Sequence, residues 1–153
     1  MLGRRTLLGA FGALALARPA GATISQDILK TTNTIREAQR LPRLNAEARL
    51  AAAAQGHADT MARLGELSHS AGGTNLAGRV LATGYVFSRL AENIAYRTEA
   101  ASDVATAQAI MEQWMGSPGH QANILDNRLA QIGVGVARGD GRVYAVQVFG
   151  TPA

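Results

Sequence analysis

Cysteine is absent from this 153-residue chain. Thiolate catalysis, disulfide staples and lipid attachment at cysteine are thereby excluded, and any metal ligand must come from His, Asp or Glu. Aromatic residues make up only 5% of the chain and Lys30 is its single lysine. That is a poor stock for the basic stripe with interleaved stacking rings that a nucleic-acid surface needs, so nucleic acid is not an expected partner. The longest apolar run, residues 7–16, reaches about half of the roughly 20 residues that cross a bilayer. No His-Glu-x-x-His, Gly-x-Ser-x-Gly or phosphate-loop pattern occurs, which removes the generic enzyme motifs. Internal repeats and low-complexity segments are missing too.

What is present is a globular composition, 47% hydrophobic, at a length suited to one domain. The first residues stand apart: Arg4 and Arg5, the apolar run, then Ala20-Gly21-Ala22 in the manner of a signal-peptidase site. They read as a cleaved export signal over residues 1–22, leaving a single domain over residues 23–153. The string Arg4-Arg5-Thr6-Leu7-Leu8 fits a twin-arginine signal as well as an ordinary secretory one. Loss of Arg4, Arg5 and Arg18 leaves twelve basic against eleven acidic residues, so the formal charge drops from +4 to +1. The apparent basicity belongs mostly to the leader.

Residues 25–40 carry the pattern of a first helix, capped at or near Ser25 and stopping ahead of Leu41-Pro42, because a residue before proline avoids helical angles. Asn45 is placed to cap a second helix, along which Leu50, Ala53, Ala54, His57, Met61 and Leu64 recur at helical spacing up to Gly65. Its small side chains permit close packing. Residues 66–85 dissolve into Ser, His, Gly, Thr and Asn, a surface loop in character. Residues 91–96 suit a short strand or extended turn, and Ser102 caps a third helix to about Met115 with Val104, Ile110 and Trp114 facing inward. Further on, Ile132, Val134 and Val136 alternate with small residues and residues 143–149 form another apolar run. Asp140-Gly141 between them favours a tight antiparallel hairpin. Helices flanking a small, mainly antiparallel sheet make an α/β sandwich.

Residues 114–125 are the most informative stretch, because they set one of three histidines on a prepared helix start. Ser117 is a natural N-cap and Pro118 fits the first helical position. His120 then lies in the first turn, where the helix dipole disfavours a protonated imidazole. His69, Glu92 and His120 come from three separate segments. Two imidazoles with a carboxylate are what a metal site or an acid–base pair requires, although each could equally serve alone in a structural or surface role. His57 shares the apolar helix face with Leu50 and Met61 and is expected to be structural, bonded to a backbone carbonyl. Trp114 is expected in the core. Ser117 is a secondary candidate as a nucleophile, but capping already accounts for it. Glu112 suits a solvated helix face, and Asn93 can order its segment through its amide.

Taken together, these segments resemble the CAP superfamily, the SCP-like domain of cysteine-rich secretory proteins, antigen 5 and pathogenesis-related proteins, in its short bacterial branch. The resemblance rests on Leu44 with the helix from Leu50 to Met61, Leu67-Ser68-His69-Ser70, and Ala91-Glu92-Asn93-Ile94-Ala95. It continues through Trp114-Met115-Gly116-Ser117-Pro118-Gly119-His120-Gln121-Ala122-Asn123-Ile124-Leu125, Ile132-Gly133-Val134-Gly135-Val136 and Val146-Gln147-Val148-Phe149-Gly150. It implies a three-layer α-β-α sandwich whose central cleft is lined by two histidines and two acids. Three of those positions carry over, as His69, Glu92 and His120. The second acid would fall on Ser117, and Glu112, though nearby, does not match the motif position. The resemblance also implies that His69 and His120 can hold a divalent metal, often zinc, and that a separate groove can take a sterol or fatty acid. The expected function is an exported binding module, periplasmic or secreted, whose cleft takes a metal or a small ligand. The alternatives are a metal-assisted hydrolase acting on cell-envelope material, with Glu92 as base toward bound water, and a lipid-binding protein.

Overall fold

The computed structural model describes residues 22–153, so the expected export signal lies outside the described residues except for Ala22. Helix α1, Ala22–Ala38, leads to a short strand β1, Asn45–Ala46, and to helix α2, Ala48–Leu64. A 3-10 turn, Ala71–Gly73, and helix α3, Leu76–Leu81, precede strand β2, Phe87–Thr98. Helices α4, Asp103–Met115, and α5, Pro118–Ile124, come next, followed by strands β3, Gln131–Gly139, and β4, Arg142–Pro152.

The sheet runs β1-β3-β4-β2, with β1 parallel to β3 and the other two pairs antiparallel. Its organising strand is β4, buried from Val143 to Gly150 because both edges are paired and both faces covered. Alternation sorts its side chains between two cores. Val143, Ala145 and Phe149 join Ile24, Ile28, Ile110, Trp114 and Ile124 beneath α1, α4 and α5. Tyr144, Val146 and Val148 join Leu50, Ala54, Ala58 and Met61 beneath α2. Three layers follow from that split, the α-β-α sandwich expected from the sequence. The β3–β4 connection also matches expectation, since Asp140 and Gly141 both take positive φ, 52° and 69°, as a tight hairpin turn requires.

Helix α2 lies unusually close to β3. A Cβ at Gly133 would overlap the Ala51 backbone, and one at Gly135 the Ala54 carbonyl, so glycine in the strand and alanine in the helix are two halves of one contact. This seats α2, and His57 with it, directly on the sheet.

Several boundaries depart from the sequence reading. Helix α1 starts by Ala22, ahead of Ser25. Asn45 does not cap α2: its N–H donates to Ala130 O and it pairs with Gln131 in β1, while the Glu47 carboxylate takes the cap by accepting from Arg49 N. Sheet pairing outcompetes the local asparagine preference here. The loop expected over residues 66–85 contains α3, and the short extended stretch is a 12-residue strand that pairs along β4. Val104 is 63% exposed, whereas Ile110 and Trp114 are buried as expected. No helix among the described residues is long and apolar enough to cross a membrane.

Candidate functional site

Glu92 organises one side of the site. It shares a strand face with Leu90 and Ile94, toward α2, and its side chain is only 2% exposed. A buried carboxylate is costly unless paired and hydrogen-bonded, and both oxygens are engaged. Oε1 accepts from His69 Nδ1 at 2.7 Å, and Oε2 from Arg79 Nη2 at 2.7 Å. His69 reaches Glu92 because Gly65, at φ 66°, ends α2 and turns the chain back. Arg79 arrives on α3, capped by Asn75, whose Oδ1 accepts from Gly78 N at 2.8 Å. Its Nη1 donates to His69 O at 2.9 Å, so one guanidinium fixes the carboxylate and the loop carrying its imidazole partner.

His57 lies on the buried face of α2, fully enclosed, with Nε2 4.0 Å from the same Glu92 Oε1. Neither of its ring nitrogens has a hydrogen-bond partner. Burial holds its pKa below the usual histidine value; Arg79 and His69 push the same way, and Glu92 and a Ser68 backbone group oppose them. The expected bond to a backbone carbonyl falls short of hydrogen-bond geometry, although a Ser68 backbone group lies close enough to act on the ring. His57 is buried as expected, but it belongs to the surroundings of Glu92.

His120 forms the other side, on α5. Asn93, the neighbour of Glu92 with the opposite facing, donates from Nδ2 to His120 O at 3.1 Å. Asn123 donates to Asn93 Oδ1 at 2.9 Å and to Glu92 O at 3.3 Å. The Asn93 amide is held in turn by Gln147 Oε1 at 3.0 Å, and Gln147 Nε2 donates to Thr32 Oγ1 at 2.7 Å. Thr32 gives its own proton to Ile28 O at 2.8 Å, so each amide in this buried chain has one allowed orientation. Arg36, wholly buried, anchors the far end of α5 by donating to Ile124 O at 2.8 Å and Asp126 O at 2.9 Å.

His69 and Glu92 are thus in direct contact, and the His120 helix is tied to the Glu92 strand through the Asn93 and Asn123 side chains. Burial holds the His120 pKa below the usual value and the charge of His69 lowers it further. Its Nδ1 is buried without a partner. Ser117 occupies the N-cap position with Pro118 after it, but its side chain makes no capping hydrogen bond, contrary to expectation. Glu112 is solvent-facing, bonded to Gln108 on its own helix. Sequence reasoning missed Arg79 altogether and placed His57 outside the site. The available signal was the burial of Glu92 itself, since an acid within the apolar run Ala91–Ala95 demands a cation.

A zinc ion fits these residues poorly. No group of three His, Asp or Glu side chains in metal-holding geometry occurs among the described residues. Both Glu92 oxygens already accept a hydrogen bond, from His69 and from Arg79, and the side chain is only 2% exposed. A ligating histidine almost always donates its other N–H to a carboxylate, carbonyl or water; His69 has such a partner and His120 Nδ1 does not.

The model of the cysteine-rich secretory protein family, CAP, matches residues 29–149. The chain is 32% identical over 117 residues to the uncharacterized membrane protein YlbC of Bacillus subtilis, covering 76% of this chain and 32% of that protein. Among solved structures, an extracellular SCP-domain protein of Bacillus anthracis shares 28% identity at a TM-score of 0.73, over 83% of this chain and 40% of that one. The chain thus spans about a third of that curated relative and two-fifths of that structure. An outer surface protein of Borrelia burgdorferi superposes at a TM-score of 0.77 with 18% identity, over 87% of this chain and 96% of that one. NaASP2, crystallised with Zn2+, superposes at 0.64 with 13% identity, over 87% of this chain and 83% of its own. The matched span takes in α2, the Glu92 strand, the His120 helix and the closing hairpin, and on that extent the chain belongs to the CAP family of cysteine-rich secretory proteins.

Proposed function

We propose that the chain is an exported binding module whose cleft, between His69, Glu92 and His120, takes a small ligand from the cell envelope or its surroundings. The observation that carries this reading is the commitment of Glu92. With one oxygen on His69, the other on Arg79 and its side chain only 2% exposed, the carboxylate orients a neighbouring imidazole and is closed off from a reacting water. The Ser117 side chain makes no capping hydrogen bond and no base is bonded to it among the described residues, so Ser117 is not set up as a nucleophile. The surfaces offered to a ligand are the imidazoles of His69, 59% exposed at its side chain, and His120. Export rests on the residue 1–22 signal pattern and on the extracellular SCP-domain relative.

The test is a turnover screen on peptide, ester and peptidoglycan substrates beside calorimetry with candidate ligands, zinc chloride included. Absence of turnover with ligand heat lost in His69→Ala/His120→Ala supports the module. Turnover abolished by Glu92→Gln with the fold intact overturns it in favour of a hydrolase. Zinc heat lost in the double variant makes the ligand a metal.

A second reading has its own observation. A groove of about 500 Å³ between α1 and α4, lined by Ile35, Val104, Ala107, Met111 and Met115, has the apolar character that a lipid chain needs. Mass spectrometry of an organic extract from the natively produced protein tests it, and an empty extract counts against it.

A further inference from the structure

Across the sheet from the Glu92 strand, the outer edge of β3 carries one backbone pair that the rest of the fold does not answer. In the ladder with β4, alternation turns the N–H and C=O of Ile132, Val134 and Val136 away from β4 and toward that edge. The first and last of the three are met. Ile132 O accepts from Glu47 N at 3.0 Å, where β1 closes onto the strand. Val136 is met by a side chain: its N–H donates to Gln55 Oε1 at 3.1 Å and its C=O accepts from Gln55 Nε2 at 2.8 Å, so one carboxamide stands in for a neighbouring strand. Val134 lies between them. By this point β1 has given way to α2, with Glu47 O taken by Ala51 N, and neither backbone group of Val134 has a hydrogen-bond partner among the described residues. The pair borders a pocket of about 340 Å³ between α1 and α2, walled by Leu29, Ala46, Ala48, Ala51 and Ile132.

We infer that this pocket is a binding site for a primary carboxamide on an alkyl stem, the chemistry of a glutamine or asparagine side chain. Such a group carries N–H and C=O on one side, and Gln55 shows the fit at Val136, two residues or about 7 Å along the same strand edge. Other chemistries fail on half of the pair. A carboxylate has no donor for Val134 O, and a guanidinium has no acceptor for Val134 N–H. A trans peptide unit points its N–H and C=O in opposite directions. Addition of a whole strand is shut out, because Glu47 and Gln55 hold the positions on either side. Water can bridge the pair but leaves the apolar walls uncovered, whereas the carboxamide reproduces its hydrogen bonds and its stem covers the walls as well. The site lies at the opposite sheet edge from the Glu92 strand and does not rest on the reading of the cleft.

Amide proton–nitrogen spectra of the 15N-labelled protein report on Val134 directly. Titration with propionamide is expected to shift the Val134 signal saturably, while propionate and N-methylpropionamide, which keep the stem and lose one half of the match, leave it in place. Ala48→Leu, a change at an exposed helix position that narrows the pocket, is expected to abolish the shift and keep the rest of the spectrum. The comparison of the three probes on the unaltered protein stands whether or not that variant folds. L-Glutamine and the tripeptide Gly-Gln-Gly then separate the two sources of the group: tighter saturation by the amino acid assigns a free small molecule, and by the tripeptide a peptide side chain. No saturable shift with propionamide, equal shifts from propionate or N-methylpropionamide, or an undiminished response in folded Ala48→Leu overturns the inference.

Discussion

Replacing Arg79 by Met tests the claim that the site is built around a buried ion pair. Methionine keeps most of the stem volume and removes the charge. Glu92, 2% exposed at its side chain, then keeps only His69 as a partner, and the loop loses the Arg79 donor to His69 O. Breaking one partner of a buried pair costs about 3–5 kcal/mol, because the remaining charge stays buried and uncompensated. The lower end applies, since His69 Nδ1 still reaches Oε1 and Arg79 is itself 10% exposed. About 3 kcal/mol is a large share of a stability of roughly 5–15 kcal/mol. With a urea slope of about 1.5 kcal/mol/M, the midpoint falls by about 2 M. Neutralising both partners, Arg79→Met with Glu92→Gln, removes the orphaned charge, and the double variant is expected to lose less than the sum of the singles by at least about 1.5 kcal/mol. Additive losses, or a single-variant cost under about 1 kcal/mol, would place the pair with exposed surface pairs and refute the reasoning.

Three other outcomes follow from the same geometry. Gln147→Leu leaves Asn93 without one acceptor and is expected to cost about 1–3 kcal/mol while raising hydrogen exchange across α5; unchanged exchange there would mean that the buried amide chain does not position His120. Ser102→Ala removes a cap bond to Ala105 N of 3.1 Å and should cost about 1 kcal/mol, whereas Ser117→Ala, with no such bond, should cost a few tenths in the same chemical-denaturation assay. His57 and His120 are held neutral by burial, so below about pH 6.5 the unfolded chain takes up protons that the native protein refuses. Stability is then flat above that pH and falls below it by up to about 1.4 kcal/mol per pH unit per histidine. Asp126, held at about 2 first by its hydrogen bond from Arg128, loses its contribution only in stronger acid, so a flat profile from pH 7.5 to 5 contradicts the histidine assignment.

Where structure follows from rules that act within a few residues, the chain could be read directly. Gly65 ends α2, Ser102 starts α4 and Asp140-Gly141 closes the hairpin, each by a backbone preference satisfied on the spot. The errors came where a distant partner decides. Asn45 has a good capping side chain, yet its backbone is claimed by β3, some 85 residues on, and the cap passes to Glu47. Helix α3 hides because its six residues include Gly78 and show no apolar period long enough to register, although Asn75 gives it a sound start.

The site divides in the same way. His69, Glu92 and His120 stand out by residue type, as two imidazoles and a carboxylate, but only the family resemblance groups them, since nothing in their spacing brings them together. His57 was placed correctly on a buried helix face, but helical periodicity reports which way a side chain points and not what it meets. What His57 meets is a carboxylate on a strand 35 residues later, and that carboxylate is tolerable in the core only because Arg79 answers it. A buried acid is thus the stronger guide in such a chain: it obliges a cation, the cation must lie on a neighbouring element, and the element so recruited is the one that carries the next residue of the site. Arg79 meets that obligation and, through His69 O, sets the loop from which the first imidazole projects.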